Sequence, residues 1–432
     1  MLADVAIAGR NERSARAWRT AMRYGLSSLG PVSISAAHFA ASLMALRALP
    51  PAQFGLLAFL FVVVPFCLSA SGALLGAPLV GVIRKSTGVD EADLETYLKS
   101  NLVLCALAGG LVFALAVLSG AGLVIASLLA LYAAAMTLRF FARSLTYVTA
   151  GPIRPILSDL IYSALLSLGL AALYLTHRFS LLSVAEMLAL ASLIAIPAFG
   201  FDYLRKQFRP GRAGTLFRYG AIWRDVTRWS LMGVALTEAT ANAHAYLVTF
   251  VSGPQAFAVI AAGSLLMRPA ALVLSALPDL ERPVMARRLA AGDTAGALRC
   301  VKEFRTATGA VWLATILLAA AVLIWFPHLI LKKGYDETQV ALVVAISAAI
   351  VAVRTLRGPE SVFLQAAGEF KSLAGASVWS SLVSVAITLA LLLIAGPIAS
   401  LFGILAGDAV MTGRIFTLSR AWKLAHGRLA HG

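Results

Sequence analysis

Trp18-Arg19-Thr20-Ala21-Met22-Arg23-Tyr24 returns about 205 residues later as Trp223-Arg224-Asp225-Val226-Thr227-Arg228-Trp229, and each copy runs straight into a long apolar segment. Two further echoes follow in the same order. Pro51-Ala52-Gln53-Phe54, with Arg84-Lys85 and Asp90 behind it, is matched by Pro254-Gln255-Ala256-Phe257 with Arg287-Arg288 and Asp293. Ala150-Gly151-Pro152-Ile153-Arg154 is matched by Ala367-Gly368-Glu369-Phe370-Lys371. Three echoes at similar spacing point to duplication of a half-protein, and such halves usually enclose a path at their interface.

Composition identifies the solvent. A chain of 432 residues that is 60% hydrophobic and 13% charged, with mean hydropathy +0.86, would aggregate in water but can satisfy its backbone as helices in lipid. The apolar runs are too long for strands, and alternating barrel-type segments are absent, so an integral membrane bundle of helices is expected. Twelve spans are read, at 24–48, 54–83, 97–118, 121–149, 155–176, 181–204, 229–251, 256–286, 300–325, 338–366, 372–395 and 398–420. Six spans per half is an even number, which makes the repeat parallel rather than inverted. The expected organisation is a six-helix bundle over 1–204 with a cytoplasmic N-terminal segment, a basic cytoplasmic linker over 205–228, and a second six-helix bundle over 229–432.

Basic residues orient the chain. Of 36 Lys and Arg, 31 fall on the side that holds both termini, Arg268 lies inside the membrane, and only Arg47, Arg178, Lys332 and Lys333 fall on the opposite side. Both termini are therefore expected in the cytoplasm. The net charge of +16 describes that one face, and attraction to anionic membrane lipids accounts for it without nucleic acid. Within the linker, Leu216, Tyr219, Ile222, Trp223 and Val226 recur at helical spacing. They predict an amphipathic helix on the inner leaflet, with a flexible basic linker as the alternative.

No cleavable signal peptide is expected, because polar and basic residues precede a first span too long for a signal core. Cys67 and Cys105 fall within spans and Cys300 near a cytoplasmic end, so neither a disulfide framework nor a metal site is expected. Nucleotide-binding and metalloprotease motifs are missing, and no cofactor is expected. Membrane-embedded enzymes of polymer assembly usually carry their acid, base and phosphate-binding groups on a sizeable outer loop. Here the longest outer loop is about a dozen residues around Pro327 to Glu337, and no enzyme is expected.

Charges inside lipid mark the candidate site, since a central Arg or Asp costs roughly 2.5 to 3.5 kcal/mol on insertion scales. Arg268 sits near the midplane, followed by Pro269, which removes a backbone donor and predicts a kink. It is read as an anion-binding residue of a central cavity, as half of a structural ion pair, or as a side chain that snorkels to the interface. Glu238 is its expected partner by depth, and that pair is either permanent or opened by substrate or a proton. Asn242 continues the stripe of Glu238 at helical spacing. Asp408, a midplane acid of the last span, and Glu238 are candidates for coupling. Asp159, just after Pro155, is expected to cap its helix. Arg139 with Arg143, and Arg354 with Arg357, each share a helix face and are read either as a basic vestibule for a diphosphate or as positive-inside anchors.

Here the chain resembles a family. Tyr24 onward and Leu49-Pro50-Pro51-Ala52-Gln53-Phe54-Gly55-Leu56 look like the opening of polysaccharide transporters in the multidrug, oligosaccharidyl-lipid and polysaccharide exporter superfamily. Gly253-Pro254-Gln255-Ala256-Phe257, Arg268-Pro269, Arg282-Pro283-Val284-Met285-Ala286-Arg287-Arg288-Leu289 and Gly292-Asp293 are similar to its eighth helix and following loop. The resemblance implies two six-helix bundles forming a V of the MATE type around a cavity open alternately to either side. It further implies flipping of undecaprenyl-diphosphate-linked oligosaccharide across the bacterial cytoplasmic membrane for O-antigen, capsule or exopolysaccharide assembly, with polymerase or export components as possible partners. Related lipid II flippases use cavity arginines, one on the eighth helix, and Arg268 is similar in placement. Drug and cation antiporters of the superfamily are the alternative. They often carry an acid in the first helix, where this chain has only His38 and serines between Tyr24 and Leu49.

Overall fold

A computed structural model describes residues 29–76, 78–79, 91–149, 151–210, 215–326 and 335–427. The Trp18 to Tyr24 copy of the repeat, the basic residues from Arg10 to Arg23, Arg84, Lys85, Asp90, Ala150, Arg212, Lys332, Lys333 and Arg428 lie outside the described residues. Every element among the described residues is helical.

The first half holds α1 (Leu29–Ala48), α2 (Pro51–Ser71, continued by a π turn to Gly76), α3 (Glu91–Leu118), α4 (Leu123–Thr149), α5 (Ile153–Leu175) and α6 (Leu181–Ile194). Two short helices follow, α7 (Phe201–Phe208) and α8 (Thr215–Ile222). The second half holds α9 (Arg228–Leu266), α10 (Arg268–Ala290), α11 (Thr294–Trp325), α12 (Glu337–Ala366), α13 (Phe370–Ala395) and α14 (Leu401–Gly427). Among the described residues, 11 helices are long and apolar enough to cross a membrane. The twelfth expected segment emerges from α9, whose 39 residues are two helices joined at Gly253. There φ is 84°, a left-handed value that costs glycine little, and Pro254 cannot continue the preceding hydrogen-bond ladder.

Local chemistry explains the other boundaries. The Pro50-Pro51 pair ends α1 and opens α2, the first turn being the place in a helix where proline costs least. Ser180 and Ser183 form a reciprocal capping box at α6, and Asp293 Oδ1 caps α11 by accepting from Gly296 N at 2.7 Å. Between α9 and α10, Met267 N donates to Ser264 O at 3.1 Å, tightening the turn, while Pro269 has no N–H to return to the carbonyl four residues back. The kink expected at Arg268-Pro269 is thus an actual helix break. Outward faces stay apolar, with Leu118, Leu168, Leu175 and Ile394 each more than two-thirds exposed, as a bundle solvated by lipid requires.

The chain forms two compact units. One comprises Met1–Ala41, Ser71–Val117 and Ala121–Thr227; the other comprises Ser42–Ala70, Leu118–Gly120 and Arg228–Gly432. Residues 42–70, from the first half of the sequence, therefore pack with the second. In the first unit, Tyr97, Phe141 and Phe199 anchor a core under α3, α4 and the turn after α6. Gln207 of α7 is fully buried, donating to Leu98 O at 2.7 Å and accepting from Tyr203 Oη at 3.0 Å, while Lys99 Nζ donates to Gln207 O at 2.9 Å. The α8 helix falls where amphipathic spacing placed one. Its Tyr219 donates to Leu74 O at 2.7 Å, and burial raises the phenol above its ordinary pKa, keeping it a donor. Leu216, Phe217 and Trp223 remain exposed. In the second unit, the Met285, Cys300, Phe304 and Phe363 cluster locks α10, α11 and α12 together.

Candidate functional site

Within the second unit, a cavity of about 240 Å³ is lined by Met267 at the break between α9 and α10. α1, α2, α9, α10, α12 and α14 supply its walls, and its polar lining comes from Ser42, Asn242, His244, Ser264, Arg268, Ser347 and Arg354. Ser264 and Ser347 meet Oγ to Oγ at 3.2 Å, tying the α9 wall to α12. Arg268 has no ion-pair partner among the described residues, so its charge is offered to the cavity. His244 contributes a ring whose buried Nδ1 has no hydrogen-bond partner among the described residues, beside Phe257 at a centroid distance of 6.3 Å.

Glu238 does not neutralise Arg268. Its Oε1 accepts from Tyr246 Oη at 2.7 Å, and the side chain lines a separate groove with Ser69, Ser230, Thr237 and Ser377. Matching depths assumed straight, uninterrupted helices; the bend at Gly253 and the break at Met267 remove that register. Asn242, one turn beyond Glu238, does reach the cavity.

The Arg139 and Arg143 pair does not form a vestibule. Arg139 is 3% exposed, with Nη2 at 3.2 Å from Asp159 Oδ1 and 3.0 Å from Ser158 O, and its guanidinium stacks over Tyr162 at 4.6 Å. Arg143 Nη1 reaches Asp159 Oδ2 at 3.3 Å. Asp159 is consequently a buried counter-charge and not a helix cap, since the N-cap of α5 is Pro152. Neither Arg139 nor Arg143 lines the cavity. Tyr162 also meets His38 Nε2 at 2.7 Å, extending the buried network into α1.

Asp408, a midplane acid and candidate for coupling by sequence, is fully buried and held by both arginines of α12. Arg354 Nε donates to Oδ2 at 2.8 Å. Arg357 Nη1 lies 2.6 Å from Oδ1 with its N–H misaligned, so that contact is an ion pair more than a directed hydrogen bond. Arg354 lines the cavity; Arg357 does not. A third cluster went unnoticed in the sequence. Buried Glu360 of α12 is paired with Arg305 Nη2 at 2.8 Å and Lys423 Nζ at 3.0 Å, and accepts from Ser419 Oγ. The signal available was the rule that a charge within a span needs a partner, applied to each acid in turn.

Among the described residues no group of His, Cys, Asp and Glu is arranged to hold a metal.

No protein-family model and no curated protein sequence matches the chain. Solved structures do match in fold. An inward-facing multidrug resistance MATE family transporter of the MOP superfamily aligns with TM-score 0.65 and 13% identity, over 94% of this chain and 96% of that chain. The lipid II flippase MurJ in an inward closed conformation aligns with TM-score 0.66 and 12% identity, over 91% and 87%. A MOP superfamily transporter from Pyrococcus furiosus, described as having a binding pocket of reversed polarity, gives 0.58 and 13%, over 94% and 95%. The chain is thus an all-helical, multi-pass integral membrane protein with the MATE-like fold found in MOP superfamily transporters.

Proposed function

We propose that the chain is an alternating-access transporter that flips undecaprenyl-diphosphate-linked oligosaccharide from the inner to the outer leaflet of a bacterial cytoplasmic membrane. The observation that carries this reading is Arg268, which faces a cavity with no carboxylate paired to it among the described residues. An uncompensated guanidinium at that depth is costly unless the ligand is an anion, and its planar fork suits phosphate oxygens. The fold shared with a lipid II flippase agrees with a lipid-linked substrate. In this reading both termini are cytoplasmic, no chemical step is catalysed, and polymerase or export components of a surface polysaccharide pathway are partners.

The second reading, a drug or cation antiporter, rests on Glu238, an acid without a paired cation among the described residues in a groove of its own. Glu238 also serves the first reading as the coupling residue. The deciding experiment is flipping of a fluorescent lipid-linked sugar in proteoliposomes. Arg268→Ala should abolish it with normal membrane abundance, and Arg268→Lys should restore it only in part. Flipping by Arg268→Ala at the wild-type rate would make the arginine structural and remove the basis of the first reading.

A further inference from the structure

The side chain of Asp408 is inaccessible to any substrate, yet it takes hold of a residue that is not. Of the three nitrogens in the Arg354 guanidinium, only Nε is engaged by Asp408 Oδ2, at 2.8 Å. Both terminal amino groups are left without a partner among the described residues, on a side chain that lines the cavity. Arg357 covers the other carboxylate oxygen from behind the cavity wall, at 2.6 Å. One carboxylate shared by two guanidiniums leaves one net positive charge on the cluster, and Arg354 is the member that lines the cavity. With Arg268 the cavity presents two guanidiniums.

Arg268 of α10 and Arg354 of α12 line the same cavity, whose walls the Ser264 to Ser347 contact ties together. Two guanidiniums in one cavity suit two adjacent phosphates better than one.

We infer that Arg354 is a second phosphate-binding arm, held in position by Asp408 with Arg357 as the counter-charge, and that this arm selects a lipid diphosphate over a lipid monophosphate. The inference rests on the anionic-lipid reading of Arg268 and specifies what that site discriminates. Asp408 is in this view a positioning residue rather than a proton carrier.

The test measures binding of farnesyl diphosphate and farnesyl monophosphate to the purified full-length protein in nanodiscs. Wild type should prefer the diphosphate by about 10- to 100-fold, the range expected for one added charge-assisted arm. Arg354→Gln should erase that preference while leaving monophosphate affinity within about twofold. Arg354→Lys, which keeps a cation for Asp408 and so protects the fold, should erase it equally, because an ammonium holding Asp408 has no terminal fork to offer. Asp408→Asn is the sharper readout. It adds one net positive charge, so a purely electrostatic role predicts tighter binding of both probes, whereas a positioning role predicts loss of the diphosphate preference. Preference retained in Arg354→Lys, or equal tightening for both probes in Asp408→Asn, would overturn the inference and leave Arg268 as the sole anion site. If wild type binds neither probe, or Arg268→Gln binds both as wild type does, the anionic-lipid reading itself fails and the second arm falls with it.

Discussion

Tyr246 donates its hydroxyl to Glu238 Oε1 at 2.7 Å along one side of α9, and among the described residues no cation is paired with that carboxylate. Helical side chains lean toward the N-terminus, which brings the long tyrosine back over two turns to the acid. One neutral donor is thin compensation for a carboxylate at membrane depth. In the proposed transport cycle Glu238 is the candidate coupling residue, and substitution there tests that.

Glu238→Gln keeps an acceptor for Tyr246 and removes the charge. In proteoliposomes carrying a proton gradient, the variant should transport only at the rate seen without a gradient, with its thermal midpoint unchanged. Gradient-driven transport at the wild-type rate would exclude Glu238 from coupling.

Asp159 is shared by Arg139 and Arg143 with both Arg139 and Asp159 almost fully buried. Asp159→Ala would leave two guanidiniums uncompensated, and breaking a buried pair from one side typically costs about 3 to 5 kcal/mol. Membrane abundance and the detergent melting midpoint should both fall sharply. Arg143→Ala should do much less, because Arg139 still holds the carboxylate. Equal losses from the two substitutions would show that Arg143 carries the pair.

Close packing of α13 on α14 yields a further expectation. A Cβ added at Gly407 would lie 2.5 Å from Ser384 Cβ and 2.9 Å from Ser380 O, where Ser380 donates to Gly407 O at 2.8 Å. Small residues at such crossings let helix backbones approach, and filling one forces them apart. Gly407→Val should lower stability by about 1 to 3 kcal/mol in a reversible unfolding assay, whereas Gly413→Ala, which meets nothing within 4 Å, should be close to neutral.

The helices were legible because a span of lipid length has to be apolar and internally hydrogen-bonded, so α5, α12 and α13 lie within a few residues of their expected limits. Pro269 marked the break beside Arg268 for a similarly local reason. Partners were not legible in the same way. Asp159 lies 20 residues from Arg139, and Asp408 lies 54 from Arg354, each on a different helix from its arginine. Periodicity gives the face a residue occupies but not the neighbour that face meets. Glu238 was assigned to Arg268 on depth alone, while its actual donor, Tyr246, sits at a spacing outside the usual three- and four-residue pairs.

Orientation rests on the basic residues, and it can be checked without knowing the substrate. Charge bias acts over short loops near span ends, and the linker after Phe208 and the turn at Gly292 are flanked by Arg205, Lys206 and Arg209, and by Arg287, Arg288 and Arg299. Reporter fusions after Phe208, Gly292 and Gly432 should read cytoplasmic, and fusions after Ser119, Gly253 and Gly396 periplasmic. Gly253 is the decisive position. It separates the two helices of α9, so a periplasmic reading there with cytoplasmic readings at Phe208 and Gly292 requires both to cross the membrane. A cytoplasmic reading at Gly253 would mean that residues 228–252 do not cross, remove one crossing from the second half, and abolish the parallel relation between the halves.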